Sequence, residues 1–117
     1  MKQTIAFFGL GAMGEPMAAN LLRAGFPVRS AVHRSTAGAE RLSPLGLKLF
    51  PSPAEAADGA DVIITILPAD PEIKEFLLDQ TFSDSLKPGS IIVDMSSATS
   101  DCVKELEAAY RPKGIAV

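Results

Sequence analysis

The stretch Thr4-Ile5-Ala6-Phe7-Phe8-Gly9-Leu10-Gly11-Ala12-Met13-Gly14 sets the frame for the whole chain. Thr4 to Phe8 is a short apolar run that stops at a glycine, the pattern of a buried parallel strand. From Ala12 to Ala24 the apolar residues Met13, Met17, Leu21 and Ala24 recur at helical steps, and Gly25 supplies a stop signal. Pro16 is tolerated there because it falls near the first turn. Between a strand and a helix, three glycines at this spacing have separate tasks: a tight turn, close approach of a diphosphate to backbone, and helix-on-strand packing. The unpaired N–H groups and positive dipole end of the helix then face the anion. The competing reading is a glycine-rich turn used only for packing; a strand before it and a helix after it favour anion binding. Gly9, Leu10, Gly11, Ala12, Met13 and Gly14 are therefore the expected grip on the diphosphate of a dinucleotide.

Outward from this loop, apolar runs alternate with helical patterns. Val28 to Val32 reads as a second strand, weakened as a fully buried one by Arg29 and Ser30, and Thr36 to Leu42 as a short helix. Leu47 to Phe50 is a third strand. Ser52-Pro53-Ala54-Glu55 then offers an N-cap serine with proline at the first helical position. Asp61 to Leu67 holds Val-Ile-Ile-Thr-Ile-Leu, the strongest strand signal of the chain, and ends at Pro68. It is expected to be central. Pro71 to Leu78 is helical with Ile73, Phe76 and Leu77 inward, and a short turn around Phe82 to Leu86 leads to a turn at Lys87-Pro88-Gly89. Ser90 to Asp94 is another buried strand, Ser100 to Tyr110 a helix with Val103, Leu106 and Ala109 or Tyr110 on one face, and Gly114 to Val117 the start of a further strand. This alternation predicts an α/β fold of the Rossmann type, a doubly wound parallel sheet with helices on both faces.

Composition narrows the function classes. The chain has 117 residues, 47% hydrophobic and 21% charged, enough for one packed domain and short for two. A formal net charge of −3 gives no broad field for nucleic acid, so any bound anion must be gripped locally. Cys102 is the sole cysteine, which excludes an internal disulfide and a CxxC metal or redox site. The apolar run at the N-terminus is too short for a signal sequence, and no stretch approaches the ~20 apolar residues of a membrane span. A soluble protein of the cytoplasm, with neither membrane nor nucleic-acid partners, is the expectation.

The end of the second strand bears on which dinucleotide is held. Domains that take NAD carry an acidic residue about 20 residues past the loop, bonded to the ribose 2′-hydroxyl. Here that region reads Val32-His33-Arg34-Ser35-Thr36, with no acid before Glu40. A carboxylate would repel a 2′-phosphate, whereas a guanidinium pairs with it through two charge-assisted hydrogen bonds and stacks on adenine. NADP(H) is thus predicted over NAD(H). Ser35 and Thr36 either add donors to the same phosphate or cap the next helix, two compatible roles. His33, the sole histidine, lines the adenine edge or is merely exposed.

The glycine loop, the following Pro16-Met17-Ala18-Ala19-Asn20-Leu21, His33-Arg34-Ser35 and Asp94-Met95-Ser96-Ser97 together resemble the β-hydroxyacid dehydrogenase family, the group of 3-hydroxyisobutyrate dehydrogenase and, more distantly, 6-phosphogluconate dehydrogenase. The likeness covers essentially the whole chain. It implies that Arg34 and Ser35 hold the 2′-phosphate and that Leu67-Pro68 passes beside the nicotinamide ribose. It also implies that Asp94 to Ser97 is the family's D-x-S-T segment, where Ser96 and Ser97 meet the substrate and Ser97 also meets the nicotinamide end. Ser97 stands where the family usually has Thr, Ser100 where it often has Pro, and His33 where Asn is common, so the pocket rim is expected to differ. Among Ser96, Ser97, Thr99 and Ser100, at least one is expected to serve only as a helix N-cap, and Cys102 to be a buried inert thiol.

In that family the proton-transferring group is a lysine on a later helix, and neither Lys104 nor Lys113 matches its motif. The resemblance therefore implies a single dinucleotide-binding domain over residues 1–117, without the C-terminal helical domain that completes the substrate pocket and joins subunits into homo-oligomers. No catalytic residue is assigned within the chain. The implied activity is hydride transfer between NADP(H) and a small hydroxy acid or semialdehyde, by a longer protein. The alternative is a stand-alone, non-catalytic NADP(H)-binding module; a flavin or nucleotide-sugar in the same crevice is a weaker third reading. An exposed apolar patch is expected where a further domain would dock.

Overall fold

The computed structural model describes residues 2–31 and 37–117. Five parallel strands form one sheet: β1 (Ile5–Phe8), β2 (Val28–Ala31), β3 (Lys48–Phe50), β4 (Val62–Thr65) and β5 (Ile91–Asp94), in the spatial order β3-β2-β1-β4-β5. Among the described residues six α-helices accompany them: α1 (Gly14–Arg23), α2 (Ala37–Leu42), α3 (Pro53–Ala57), α4 (Asp70–Leu77), α5 (Gln80–Ser85) and, after β5, α6 (Ser100–Tyr110). A parallel bridge between Ile91 and Ala116 begins a sixth strand beside β5, as the sequence suggests. The order reverses between β1 and β4, which leaves a crevice beyond their carboxyl ends.

Local chemistry accounts for most boundaries. Gly25, at φ +93°, ends α1 in a Schellman turn: Phe26 N–H donates to the Leu21 carbonyl at 3.1 Å and Gly25 N–H to Leu22 at 3.0 Å. Ser52 Oγ accepts from Glu55 N–H at 3.2 Å and caps α3. The expected turn around Phe82 is instead helix α5, capped by Asp79, whose carboxylate accepts from Phe82 N–H at 3.0 Å. Helix α1 starts at Gly14 rather than Ala12, and β4 leaves the sheet after Thr65, two residues before the expected end. Cys102, Leu106 and Tyr110 form the inward stripe of α6, so the stripe runs through Cys102 rather than Val103. The buried Tyr110 hydroxyl donates to the Leu77 carbonyl and ties α6 to α4.

The two faces of the sheet are covered unequally. On one, Ala6, Phe8, Ile63 and Ile92 pack under α3, α4, α5 and α6, with an aromatic trio of Phe8, Phe76 and Phe82 at centroid distances of 4.8 to 5.6 Å. On the other, Ile5, Phe7 and Val28 pack under α1 and α2. No described element covers the second face over β5, so Ile91 and Val93 are 47% and 37% exposed and Met95, beyond the strand, 48%. The expectation of a strand buried on both faces is thus corrected: β5 is half open. These three side chains leave exposed apolar surface at this edge of the sheet. Ser30, by contrast, is fully buried despite its polarity, with its hydroxyl unpaired among the described residues.

This asymmetry sets the cost of truncation. Ile63→Ala, in the closed core, should cost about 2 to 5 kcal/mol, and Val93→Thr within about 0.5 kcal/mol. Urea denaturation measures both.

Candidate functional site

The loop that follows β1 has the geometry its glycines require. Gly9 has φ +106°, and a Cβ on it would sit 2.1 Å from the Ile66 carbonyl oxygen. At Gly14, in the first turn of α1, a Cβ would lie 1.8 Å from the Gly9 carbonyl oxygen. At Gly11 a Cβ meets nothing within 4 Å. The first and third glycines are therefore demanded by the fold of the chain itself, while the second stands over open space where only an approaching ligand would need the missing side chain. The start of α1 has no side-chain cap, and Met13 beside it is 71% exposed. A positive helix end without a side-chain cap fits a diphosphate, so these residues suit a dinucleotide.

Glu15, one residue into α1, would oppose an anion if left unbalanced. Arg41 of α2 answers it with a two-pronged ion pair, Nη2 to Oε1 at 2.5 Å and Nε to Oε2 at 2.7 Å. Hydrogen bonding from Arg41 holds the Glu15 carboxyl below its usual range, and the same contact raises Arg41. Helix α2 approaches through Gly38, where a Cβ would be 2.5 Å from the Leu10 carbonyl oxygen. Gly38, Glu15 and Arg41 escaped the sequence reading. A glycine inside a helical segment was the signal for the first, since it marks close backbone approach; nothing local marks the ion pair. His33, Arg34 and Ser35, with Val32 and Thr36, lie outside the described residues.

The far end of the crevice is built from the segments after β4 and β5. Leu67 is half-buried and Pro68 exposed. Asp94 Oδ1 accepts three hydrogen bonds, from Thr65 Oγ1 at 2.9 Å, Ser96 Oγ at 2.6 Å and Ser96 N–H at 3.2 Å. Its Oδ2 is out of solvent contact and unpaired among the described residues. Ser96 Oγ in turn accepts from Leu67 N–H at 2.7 Å. Ser97, on the same segment, is exposed. Thr99 caps α6, its Oγ1 accepting from Cys102 N–H at 3.2 Å, and its own hydroxyl and N–H donate to Asp70 at 2.5 and 3.0 Å. One residue of the hydroxyl cluster thus serves as the expected N-cap. The Asp70 carboxyl is held below its ordinary range first by the Thr99 hydroxyl and then by the Thr99 amide. Cys102 is buried, and burial pushes its thiol up, away from reactivity. No cluster of metal-ligating side chains occurs among the described residues.

A parallel sheet that reverses at a glycine cradle, with strand-end loops facing it, defines a dinucleotide-binding α/β domain. Residues 4–117 match the NAD binding domain of 6-phosphogluconate dehydrogenase, and the chain belongs to that family. It is 35% identical to an NAD-dependent L-serine dehydrogenase of Pseudomonas aeruginosa over 118 residues, covering 100% of this chain and 39% of that protein. It is 36% identical to a probable 3-hydroxyisobutyrate dehydrogenase of Mycobacterium tuberculosis over 112 residues, covering 96% of this chain and 37% of that protein. The solved structure of Mycobacterium tuberculosis 3-hydroxyisobutyrate dehydrogenase with L-serine superposes with a TM-score of 0.82 at 34% identity, covering 99% of this chain and 39% of that one. The chain therefore spans about two fifths of the length of these relatives.

Gly11→Ala should leave the unfolding midpoint within the small range of surface substitutions, about 0.5 kcal/mol, while abolishing dinucleotide binding; Gly9→Ala should lower stability by more than 1 kcal/mol. Thermal melts alongside ligand titration separate the two effects. For Asp70, a folded pKa below the unfolded one means its contribution is present above about pH 4 and is lost as acid carries the carboxyl through the lower folded value. Asp70→Asn should flatten the acid limb of stability, read as urea midpoints between about pH 2 and 6.

Proposed function

We propose that this chain is the cofactor-holding domain of an NADP-dependent dehydrogenase or reductase that moves a hydride between NADP(H) and a β-hydroxy acid or small semialdehyde. The observation that carries the reading is the cradle at the sheet reversal: two glycines with no room for a Cβ flank one, Gly11, that has open space above it. Bound cofactor supplies the hydride. Gly9 to Gly14 would hold its diphosphate; His33, Arg34 and Ser35 its adenosine 2′-phosphate; and Leu67, Pro68 and Ser97 its nicotinamide end.

The preference for NADP(H) rests on sequence: a guanidinium and no carboxylate where an NAD domain carries an acid. The substrate class is supported by the relatives' names, since L-serine and 3-hydroxyisobutyrate are both acids with a hydroxyl on the β-carbon. Ser97, exposed at the crevice end, is the residue we assign to contact with such a substrate. The proton-transferring group would come from the part of a longer protein that this chain does not match, so the 117 residues alone should bind cofactor without turnover. That further part would cover the open face of Ile91, Val93 and Met95 and pair subunits. No helix among the described residues is long and apolar enough to cross a membrane, and a cytoplasmic enzyme is the proposed setting.

Titration with NADPH, NADH and FAD, followed by calorimetry, tests the reading. NADPH should bind most tightly, by about 10- to 100-fold over NADH if charge-assisted bonds to the 2′-phosphate contribute their usual amount. Arg34→Asp should invert that order. Equal affinities for the two nicotinamide cofactors would remove the NADP assignment, and tightest binding of FAD the dehydrogenase reading itself.

A further inference from the structure

The hydroxyl of Ser96 has a single proton, and Asp94 Oδ1 takes it at 2.6 Å. Its oxygen simultaneously accepts from Leu67 N–H at 2.7 Å. Ser96 therefore has no donor left for a ligand, while Ser97, one residue on, is exposed, with no hydrogen bond to another of the described residues. The two adjacent serines, equivalent on the sequence, are in opposite situations.

The bonds made by Ser96 form part of a chain that crosses the crevice floor. Asp94 also accepts from Thr65 at the end of β4, and Ser96 fixes the amide of Leu67 just beyond it. The intervening residue, Ile66, donates its N–H to Phe8 at 3.0 Å and presents its carbonyl to Gly9 where no Cβ would fit. The segments after β5, β4 and β1 are thus joined in one rigid row, from Asp94 through Ser96 and Leu67 to the glycine turn. We infer that Asp94 and Ser96 are positioning residues: they hold the Leu67 segment in fixed register with the diphosphate cradle and so pre-form the nicotinamide end of the crevice, leaving Ser97 as the serine that faces ligand. This assignment rests on the dinucleotide reading above and reverses the sequence expectation that Ser96 is itself a substrate ligand.

The physical consequence is selective. Breaking the row should free the Leu67 segment and the nicotinamide end without touching the adenosine end, because ordering a loop only on binding weakens the ligand half that needs it. The test compares the wild-type chain, Ser96→Ala and Ser96→Thr with two probes: NADPH, and 2′-phospho-ADP-ribose, which lacks nicotinamide. Ser96→Ala should weaken NADPH about 10-fold, the size expected for losing a charge-assisted hydrogen bond. It should also reduce the fluorescence enhancement of bound dihydronicotinamide and speed hydrogen exchange at the Leu67 amide, with the affinity for 2′-phospho-ADP-ribose kept. Ser96→Thr, which retains the hydroxyl, should restore all three. Equal losses for both probes, or unchanged NADPH binding in Ser96→Ala, would overturn the inference while leaving the cofactor reading in place. A wild-type chain that binds neither probe would overturn the cofactor reading, and this inference with it.

Discussion

Between Gly9 and the carbonyl of Ile66 there is no space for a methyl group, and the arrangement of the site depends on that approach. Strands β1 and β4 pair in parallel from Ile5 with Val62 to Phe8 with Thr65. The chain leaves both strands at the same level, so the two exits touch. A side chain at position 9 would force them apart, and the φ of +106° at Gly9 would be strained for any other residue. A second approach follows directly, since Gly14 meets the carbonyl of the same Gly9 and fixes how α1 leaves the loop. Helix α2 adds a third through Gly38 against Leu10. The three approaches fix the floor, one wall and the helix axis of the crevice before any ligand arrives.

Charge is arranged around the same loop. An uncapped helix start attracts anions, and a carboxylate one residue inside it would counter that attraction. Pairing Glu15 with Arg41 in a bidentate geometry neutralises the carboxylate and also fastens α2 to α1. Because Arg41 is largely exposed, the pair adds little to overall stability. Its weight lies in where α2 is held against α1.

The features legible in the sequence were those whose cause is local. The apolar runs of β1 and β4, the Ser52 cap and the stop at Gly25 each need only neighbouring residues, and each element is present, with β4 shorter by two residues at its end. Elements set by distant contacts were not legible. Ile91, Ile92 and Val93 read as a strand buried on both faces because all three are apolar; which face is covered depends on where α6 and the helices after β4 lie. Helix α5 is not legible because Gln80 to Ser85 is polar apart from Phe82, and only the Asp79 cap marks its start. Position 96 shows the limit most plainly: two adjacent serines have the same chemistry, and only the fold, by bringing Leu67 within 2.7 Å, separates them.

That separation has a consequence for how such a site varies. A hydroxyl bonded twice inside the protein cannot be lost without releasing both partners, so position 96 is constrained by Asp94 and Leu67 whatever ligand lies above. Ser97 carries no such constraint, and neither do the exposed Met95 and Pro68 around it. Under the proposed function, rigid positions underneath and free positions at the rim would let the surface facing a substrate be altered by single residues while the cofactor's seat stays fixed. The same division applies at the other end of the crevice, where Gly9 and Gly14 are fixed by backbone contact while a Cβ at Gly11 would meet nothing within 4 Å. Binding geometry is thereby encoded in backbone and buried hydroxyls, and selectivity in side chains that the fold itself does not require.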